Sequence, residues 1–170
     1  KNFNPKDTHI MILGAGGAAK SIVTQAVLDG AKKVSIYVRP QSLVKAKENF
    51  RTLLDQTDCY LEFHDLTDAD HFQKELRQTD LLVNATSVGM DGESLPISID
   101  TRFPKELLVA DIIYQPFETP FLALARKQEI EAVNGLGMLL YQAAGAFKLW
   151  TGENMPTGAI WQELENIYNS

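Results

Sequence analysis

The sequence has one cysteine, Cys59, so no disulfide can form within the chain, and a fold stapled by disulfides is excluded. It has no apolar run close to the roughly 20 residues of a membrane span, and its start carries no signal-peptide stretch. Basic residues are few, 16 against 22 acidic, which gives a net charge of −6 and argues against a nucleic-acid surface. We therefore expect a cytoplasmic protein with no nucleic-acid and no membrane partner.

Strands and helices alternate along the 170 residues, of which 45% are hydrophobic, as in a globular domain. The predicted strands are 8–13, 33–38, 59–63, 80–84, 107–112 and 131–133. The predicted helices are 20–29, 41–56, 68–78, one beginning at Pro120 with Thr119 as its N-cap, 136–151 and 157–168. Such alternation predicts an α/β fold, a doubly wound parallel sheet (Rossmann-like) of about six strands with C-terminal helices. We expect a single dinucleotide-binding domain over residues 1–170.

A glycine-rich segment between the first strand and the first helix fits the pattern G-x-G-x-x-A. The first glycine permits the tight turn, the second lets the backbone approach a pyrophosphate, and the small Ala19 allows close packing of helix and strand. The helix N-terminus then offers unpaired N–H groups to the phosphates. The predicted contacts are Gly14, Ala15, Gly16, Gly17 and Ala18. A turn that binds nothing, a flavin site and a methyl-donor site remain alternatives.

The end of the second strand distinguishes NAD from NADP. NAD sites usually carry an acidic residue there, about 20 residues after the glycines, to bind the ribose hydroxyls. This chain has Arg39 instead, which could pair with a 2′-phosphate, and Ser42 could add a hydroxyl. The sequence therefore favours NADP, with NAD as the alternative. For Arg39 a solvated strand end is the other interpretation, and for Lys45 and Lys47 an exposed helix face is preferred.

Three further segments carry a more specific signal. They are Asn-Ala-Thr-Ser-Val-Gly-Met at 84–90, Asp-Ile-Ile-Tyr-Gln-Pro at 111–116, and Asn-Gly-Leu-Gly-Met-Leu-Leu-Tyr-Gln at 134–142. In this order and with the glycine loop, the chain resembles the shikimate dehydrogenase family, including its quinate/shikimate branch. The resemblance implies a two-domain oxidoreductase of aromatic amino acid biosynthesis that reduces 3-dehydroshikimate to shikimate with NADPH. This chain would be its C-terminal, cofactor-binding domain.

The resemblance also assigns roles to individual residues. The glycine loop would hold the pyrophosphate. Thr86, Ser87 and Val88 would line the ribose and nicotinamide, and Ile112 and Gly135 would contact the nicotinamide end. Tyr114 and Gln142 would reach shikimate or 3-dehydroshikimate, although a core tyrosine and a glutamine bonded to backbone are the plainer interpretations.

One departure from the family concerns the second strand, where Asn-Arg-Thr is common. Here Val38 and Pro40 flank Arg39, so the arginine is kept while its polar neighbours are lost. The second departure is the absence of the family's catalytic Lys and Asp, which lie in an N-terminal domain that this chain lacks. No catalytic residue is therefore assigned, and the chain by itself should bind cofactor without turnover. A quinate-preferring or NAD-using relative, a non-catalytic NADP(H)-binding module and a methyltransferase are the rival hypotheses.

The segment 138–150 is apolar on almost every side, with Gln142 as its only amide side chain. Such a helix is normally buried on every face, and in an isolated domain it would leave a patch for association. We therefore expect it to contact the missing N-terminal domain or, in a homodimer, a second copy. No metal site is predicted, because His9, His64 and His71 share no metal-ligand spacing with Cys59.

Overall fold

Six parallel strands form one sheet in a computed structural model that describes residues 3–168. They are β1 (His9–Leu13), β2 (Lys33–Val38), β3 (Tyr60–Asp65), β4 (Leu81–Asn84), β5 (Leu108–Asp111) and β6 (Glu131–Val133). Their order across the sheet is β3-β2-β1-β4-β5-β6, and every neighbouring pair is parallel. The predicted doubly wound α/β fold is confirmed.

In the described part of the chain, seven α-helices connect and complete the sheet. They are α1 (Gly17–Leu28), α2 (Leu43–Asn49), α3 (Arg51–Leu54), α4 (Ala69–Leu76), α5 (Pro120–Lys127), α6 (Leu136–Thr151) and α7 (Thr157–Tyr168). The prediction of one helix over 41–56 is wrong. A 3₁₀ turn (Pro40–Ser42) precedes α2, and the helix is interrupted at Phe50, between α2 and α3. There the ring of Phe50 is fully buried and packs 5.7 Å from that of Phe63.

The sheet is covered on both faces, which is why its central strands are nearly continuous apolar runs. Alternate residues of β1 point to opposite faces, so that Met11 and Leu13 join one core while Ile10 and Ile12 join the other. The first core includes residues of α4 and α5, and the second includes residues of α1 and α2. None of the helices within residues 3–168 is long and apolar enough to cross a membrane.

Helix α6 is apolar but only partly covered. Leu136 and Leu140 are its buried residues, whereas Leu149 is 87% and Trp150 83% exposed. The association patch that the sequence predicts for the isolated domain is therefore present at the C-terminal half of α6. Gln142 is also exposed, and within residues 3–168 its side chain makes no hydrogen bond to backbone, so the interpretation of a glutamine bonded to backbone does not hold.

Candidate functional site

The candidate site lies at the carboxyl edge of the sheet, beside the first strand. The chain proceeds from β1 outward to β2 and β3 on one side and then returns to place β4, β5 and β6 on the other. The loops that follow β1 and β4 therefore diverge to opposite sides and leave a crevice between them. Ligands of open α/β sheets bind in such a crevice.

The first residue of the glycine loop is held close to the loop after β4. Gly14 has φ of +101°, a conformation that residues with a side chain rarely adopt. A Cβ at this position would lie 2.9 Å from Thr86 Cγ2 and 3.0 Å from the carbonyl oxygen of Ala85. The N–H of Gly14 donates to the carbonyl of Tyr37 at the end of β2, over 2.8 Å. The turn therefore requires glycine for its conformation and for close packing.

The next two glycines face open space. Among residues 3–168, leaving aside the chain neighbours and the helix's own backbone, no atom lies within 4 Å of a Cβ built at Gly16 or Gly17. Gly16 is the N-cap of α1, no side chain caps that helix, and no acidic residue stands in its first turn. The N–H groups of the first turn are therefore accessible, and the partial positive charge of the helix end is not neutralised by a side chain. This arrangement suits the pyrophosphate of a dinucleotide.

Arg39 stands at the end of β2 with its side chain exposed. The N–H of Ser42 donates to the carbonyl of Arg39 over 2.8 Å, so both residues belong to one tight turn. Asn49 of α2 donates through Nδ2 to the carbonyl of Ala15 over 3.3 Å and joins α2 to the glycine loop. This contact was not predicted from the sequence. Lys47, like Lys45, lies exposed on α2, in line with the preferred interpretation.

The loop after β4 is organised by a buried amide, Asn84. Its Oδ1 accepts hydrogen bonds from the N–H of Thr86 (3.1 Å) and from Thr86 Oγ1 (2.7 Å). Its Nδ2 donates to the carbonyl of Val88 (3.0 Å) and to Asp111 Oδ1 (3.1 Å). Sequence reasoning missed this role, although a polar residue ending a buried strand was a usable signal. Two of the predicted ribose and nicotinamide contacts, Thr86 and Val88, are thus fixed by one side chain, while Ser87 is exposed.

Asp111 at the end of β5 is buried and fully bonded. Besides Asn84, it accepts from the N–H of Ile113 (3.0 Å) and, through Oδ2, from Thr119 Oγ1 (2.8 Å). Burial raises the pKa of Asp111, although these hydrogen bonds act in the opposite direction. Thr119 also accepts from the N–H of Leu122 over 3.3 Å, which confirms it as the N-cap of α5.

The loops after β5 and β6 meet through backbone contact. The N–H of Gly135 donates to the carbonyl of Ile113 over 2.9 Å. A Cβ at Gly135 would lie 1.9 Å from the carbonyl oxygen of Ile112, so only glycine fits without a backbone shift. Ile112 and Gly135 also line a largely apolar groove of about 1070 Å³, together with Tyr141 and Trp161.

The two residues expected to reach substrate are both exposed. Tyr114 follows β5 and Gln142 lies on α6, and no hydrogen bond joins them within the described part of the chain. The interpretation of Tyr114 as a core tyrosine is wrong. The structure thus places the glycine loop against Thr86, and it places Ile112 against Gly135. The side chains of Tyr114 and Gln142 are left exposed, where another molecule can contact them.

Comparison with known proteins places this geometry in a family. A family model of the Shikimate 5′-dehydrogenase C-terminal domain matches residues 135–165. The chain is 52% identical over 167 residues to shikimate dehydrogenase (NADP(+)) of Streptococcus pneumoniae, covering 98% of this chain and 59% of that protein. It therefore spans about three fifths of the length of such curated relatives.

Solved structures show the same likeness. Shikimate 5-dehydrogenase of Listeria monocytogenes, in complex with shikimate and NAD, superposes with a TM-score of 0.84 at 38% identity, over 94% of this chain and 56% of that one. The enzyme of Thermus thermophilus, in complex with NADP(H) and shikimate, gives 0.69 at 32% identity, over 88% of this chain and 51% of that one. The chain belongs to the shikimate dehydrogenase family and corresponds to its C-terminal domain.

Proposed function

We propose that this chain binds the NADP(H) of a shikimate dehydrogenase, which reversibly reduces 3-dehydroshikimate to shikimate. The observation that carries the proposal is the crevice between β1 and β4. There the glycine loop leaves the first turn of α1 open, and the strand beside it ends in Arg39 with no acid at that position. The relatives named for NADP support the same cofactor. The bound nicotinamide supplies the hydride chemistry, and the protein's part is to position it.

Different residues of the site contact different parts of the cofactor. The N–H groups of the Gly14–Ala18 loop hold the pyrophosphate, and Arg39 with Ser42 holds the 2′-phosphate. The loop fixed by Asn84 presents Thr86, Ser87 and Val88 to the ribose and nicotinamide. Ile112 and Gly135 form the wall beside the nicotinamide ring. Tyr114 and Gln142, both exposed, contact the substrate.

Proton transfer requires groups that this chain does not provide at the site. Asp111 is a buried carboxyl at the carboxyl end of β5, and its hydrogen bonds go to Asn84, Ile113 and Thr119 of the same chain. We therefore assign residues 1–170 to the cofactor-binding domain and the proton-transfer residues to an N-terminal domain of a longer protein. The relatives' greater length supports this division, as does the exposed apolar end of α6 at Leu149 and Trp150, which suits contact with such a domain.

The test is a calorimetric titration of the chain with NADPH and then NADH. We expect NADPH to bind more tightly, and Arg39→Ala to weaken NADPH binding by about 10- to 100-fold while leaving NADH binding unchanged, since a charged hydrogen bond is worth about 1.5–3 kcal/mol. Lys47→Ala, which removes a neighbouring exposed positive charge, is the matched control and should change little. Equal binding of both nucleotides by the unaltered chain would contradict the NADP assignment.

A second candidate is an NAD-using or quinate-preferring relative. It is favoured by the loss of polar neighbours around Arg39 and by the NAD in the Listeria monocytogenes structure. Steady-state rates of the longer protein with shikimate and quinate, each with both cofactors, separate the two candidates. No turnover with either acid would instead favour a non-catalytic NADP(H)-binding module.

A further inference from the structure

We propose that His64, His71 and Glu75 form a binding site for a divalent transition-metal ion of the zinc type. The three residues lie where α4 packs against β2 and the edge strand β3. None of them belongs to the candidate cofactor site. Their ligand atoms all lie within 4.8 Å of one another.

The backbone brings the three side chains together. His71 and Glu75 are four residues apart on α4, which places them on the same face of that helix. His64 lies on β3, and its ring centroid is 4.5 Å from that of His71. The arrangement therefore joins a helix to an edge strand, as a structural metal clamp does.

The measured separations are close to those of a coordinated ion. His64 Nε2 lies 3.6 Å from Glu75 Oε2, and His71 Nδ1 lies 3.9 Å from the same oxygen. Ligands held tetrahedrally at about 2.0–2.1 Å from zinc stand roughly 3.3–3.5 Å apart. Side-chain shifts of a few tenths of an ångström would bring these two pairs to that spacing, and the ligand atoms of His64 and His71 lie within 4.8 Å of each other.

The two oxygens of Glu75 have different neighbours. Oε1 accepts from Ser35 Oγ (2.5 Å) and pairs with Lys33 Nζ (2.7 Å), and His9 Nε2 lies 3.3 Å away. Oε2 faces the two histidines and accepts from the Tyr37 hydroxyl. Oε1 therefore anchors the carboxylate. An ion bound to Oε2 and to His71 Nδ1 would replace the hydrogen bonds that both atoms make with the Tyr37 hydroxyl, which lies 2.9 Å from Nδ1.

Charge around the cluster favours a cation. Glu62 Oε2 lies 3.4 Å from His64 Nε2 and 2.6 Å from Lys33 Nζ. With neutral histidines, the two carboxylates of Glu62 and Glu75 outweigh the single ammonium of Lys33. The Glu75 side chain is only 8% exposed, so its charge is poorly screened by solvent, while His71 at 43% leaves an entrance for the ion.

The donor set selects the class of ion. Two imidazole nitrogens and one carboxylate oxygen suit Zn²⁺, Ni²⁺ or Cu²⁺, whereas Mg²⁺ and Ca²⁺ prefer oxygen ligands alone. Three protein ligands leave a fourth position for water. An ion there would hold α4, a helix of only eight residues, against the sheet edge and would stabilise the folded state by mass action.

The test uses the chain freed of any polyhistidine tag, titrated with ZnCl₂ by calorimetry and by equilibrium dialysis. We expect one zinc ion per chain, and a loss of affinity of about tenfold or more in His64→Gln and in His71→Gln. His9→Gln is the matched control, since His9 contacts the same carboxylate from the Oε1 side but lies outside the cluster. Cys59→Ser controls for the only thiol, and both controls should bind zinc as the unaltered chain does.

Thermal unfolding supplies a second readout that does not depend on enzymatic activity. Zinc should raise the Tm of the unaltered chain and of His9→Gln, but not that of His71→Gln, and MgCl₂ should raise none of them. Because His71 is partly exposed, its variant is expected to fold even if His64→Gln does not. Absence of zinc binding, binding that survives His71→Gln, or equal loss in His9→Gln would each overturn the proposal.

Discussion

Asn84 Nδ2 lies 3.1 Å from Asp111 Oδ1, and the two residues occupy paired register positions on β4 and β5. Each is buried at the carboxyl end of its strand. Through Asn84 the pair holds Thr86 and Val88, and through Asp111 it holds Thr119 at the start of α5. The two loops that border the candidate nicotinamide site are therefore joined by one buried hydrogen bond.

Replacing Asp111 with Ala should destabilise the fold by about 2–4 kcal/mol. The substitution leaves three buried donors without their acceptor, those of Asn84, Ile113 and Thr119, and an unsatisfied buried donor costs about 1–3 kcal/mol. Urea unfolding followed by circular dichroism measures the change. Asp111→Asn is the matched control, because its side chain keeps an oxygen toward Asn84 and Ile113, and it should lose less stability. Equal losses in both variants would contradict this account.

The raised pKa of Asp111 predicts that the free energy of unfolding depends on pH. Because burial raises the pKa of Asp111, the native state holds this proton more tightly than the unfolded chain. Its contribution to stability is therefore complete below the unfolded pKa of about 3.9 and is lost as pH rises through the native pKa. Relative to Asp111→Asn, the unaltered chain should lose free energy of unfolding as pH increases from about 4. Urea unfolding of both proteins across that interval checks the trend, and a difference that grows in favour of the unaltered chain would refute it.

Replacing the first and the second glycine of the loop should affect different properties, stability for Gly14 and cofactor binding for Gly16. Gly14→Ala forces a Cβ against Thr86 and into a left-handed conformation, so we expect a loss of about 2–4 kcal/mol in the free energy of unfolding. Gly16→Ala meets no atom within 4 Å, and as an N-cap change it should cost at most about 1 kcal/mol. Its added methyl group should instead weaken NADPH binding by closing the approach to the pyrophosphate.

Calorimetry of NADPH binding together with urea unfolding separates the two effects. If Gly16→Ala bound NADPH as well as the unaltered chain does, the second glycine would not be the point at which the backbone approaches the cofactor. The fold prediction would stand, since it rests on Gly14 and on the strand pattern.

Much of this architecture was readable from the sequence, because the strands of a sheet covered on both faces are short apolar runs. Helices α6 and α7 begin and end at the predicted residues, 136–151 and 157–168. The interruption of the helix at Phe50 could not be predicted from the sequence, because it depends on packing against Phe63 of a different element. Local patterns report local preference, and tertiary burial overrides it.

The side-chain clusters escaped prediction for a related reason. His64 and His71 meet because β3 pairs with β2 and α4 folds over both, an arrangement that no spacing along the chain reveals. His64 lies near the end of β3 and His71 is exposed on α4, yet their ring centroids are 4.5 Å apart. Asp111 was part of a quoted motif, yet its bonds to Asn84 and Thr119 depend on which strands are neighbours.

Gly135 provides a last prediction, with Gly137 as its matched control. A Cβ at Gly135 would lie 1.9 Å from a backbone oxygen of Ile112, so Gly135→Ala must shift two loops and should cost more than about 3 kcal/mol. At Gly137 the nearest atom to such a Cβ is in the ring of Trp161, 3.8 Å away, which is ordinary contact. Gly137 lies within α6, where Gly→Ala should stabilise by about 0.5–1 kcal/mol.

The opposite signs make this pair informative about the role of Gly135. Urea unfolding of both variants, with NADPH affinity measured on whichever variant remains folded, distinguishes close packing of two loops from a direct contact with the nicotinamide. If Gly135→Ala were as stable as the unaltered chain but bound NADPH weakly, the glycine would be required by the cofactor. If Gly135→Ala unfolded readily, the glycine of the family motif would be required because its backbone packs directly against Ile112. The placement of both residues beside the nicotinamide would then depend on this packing.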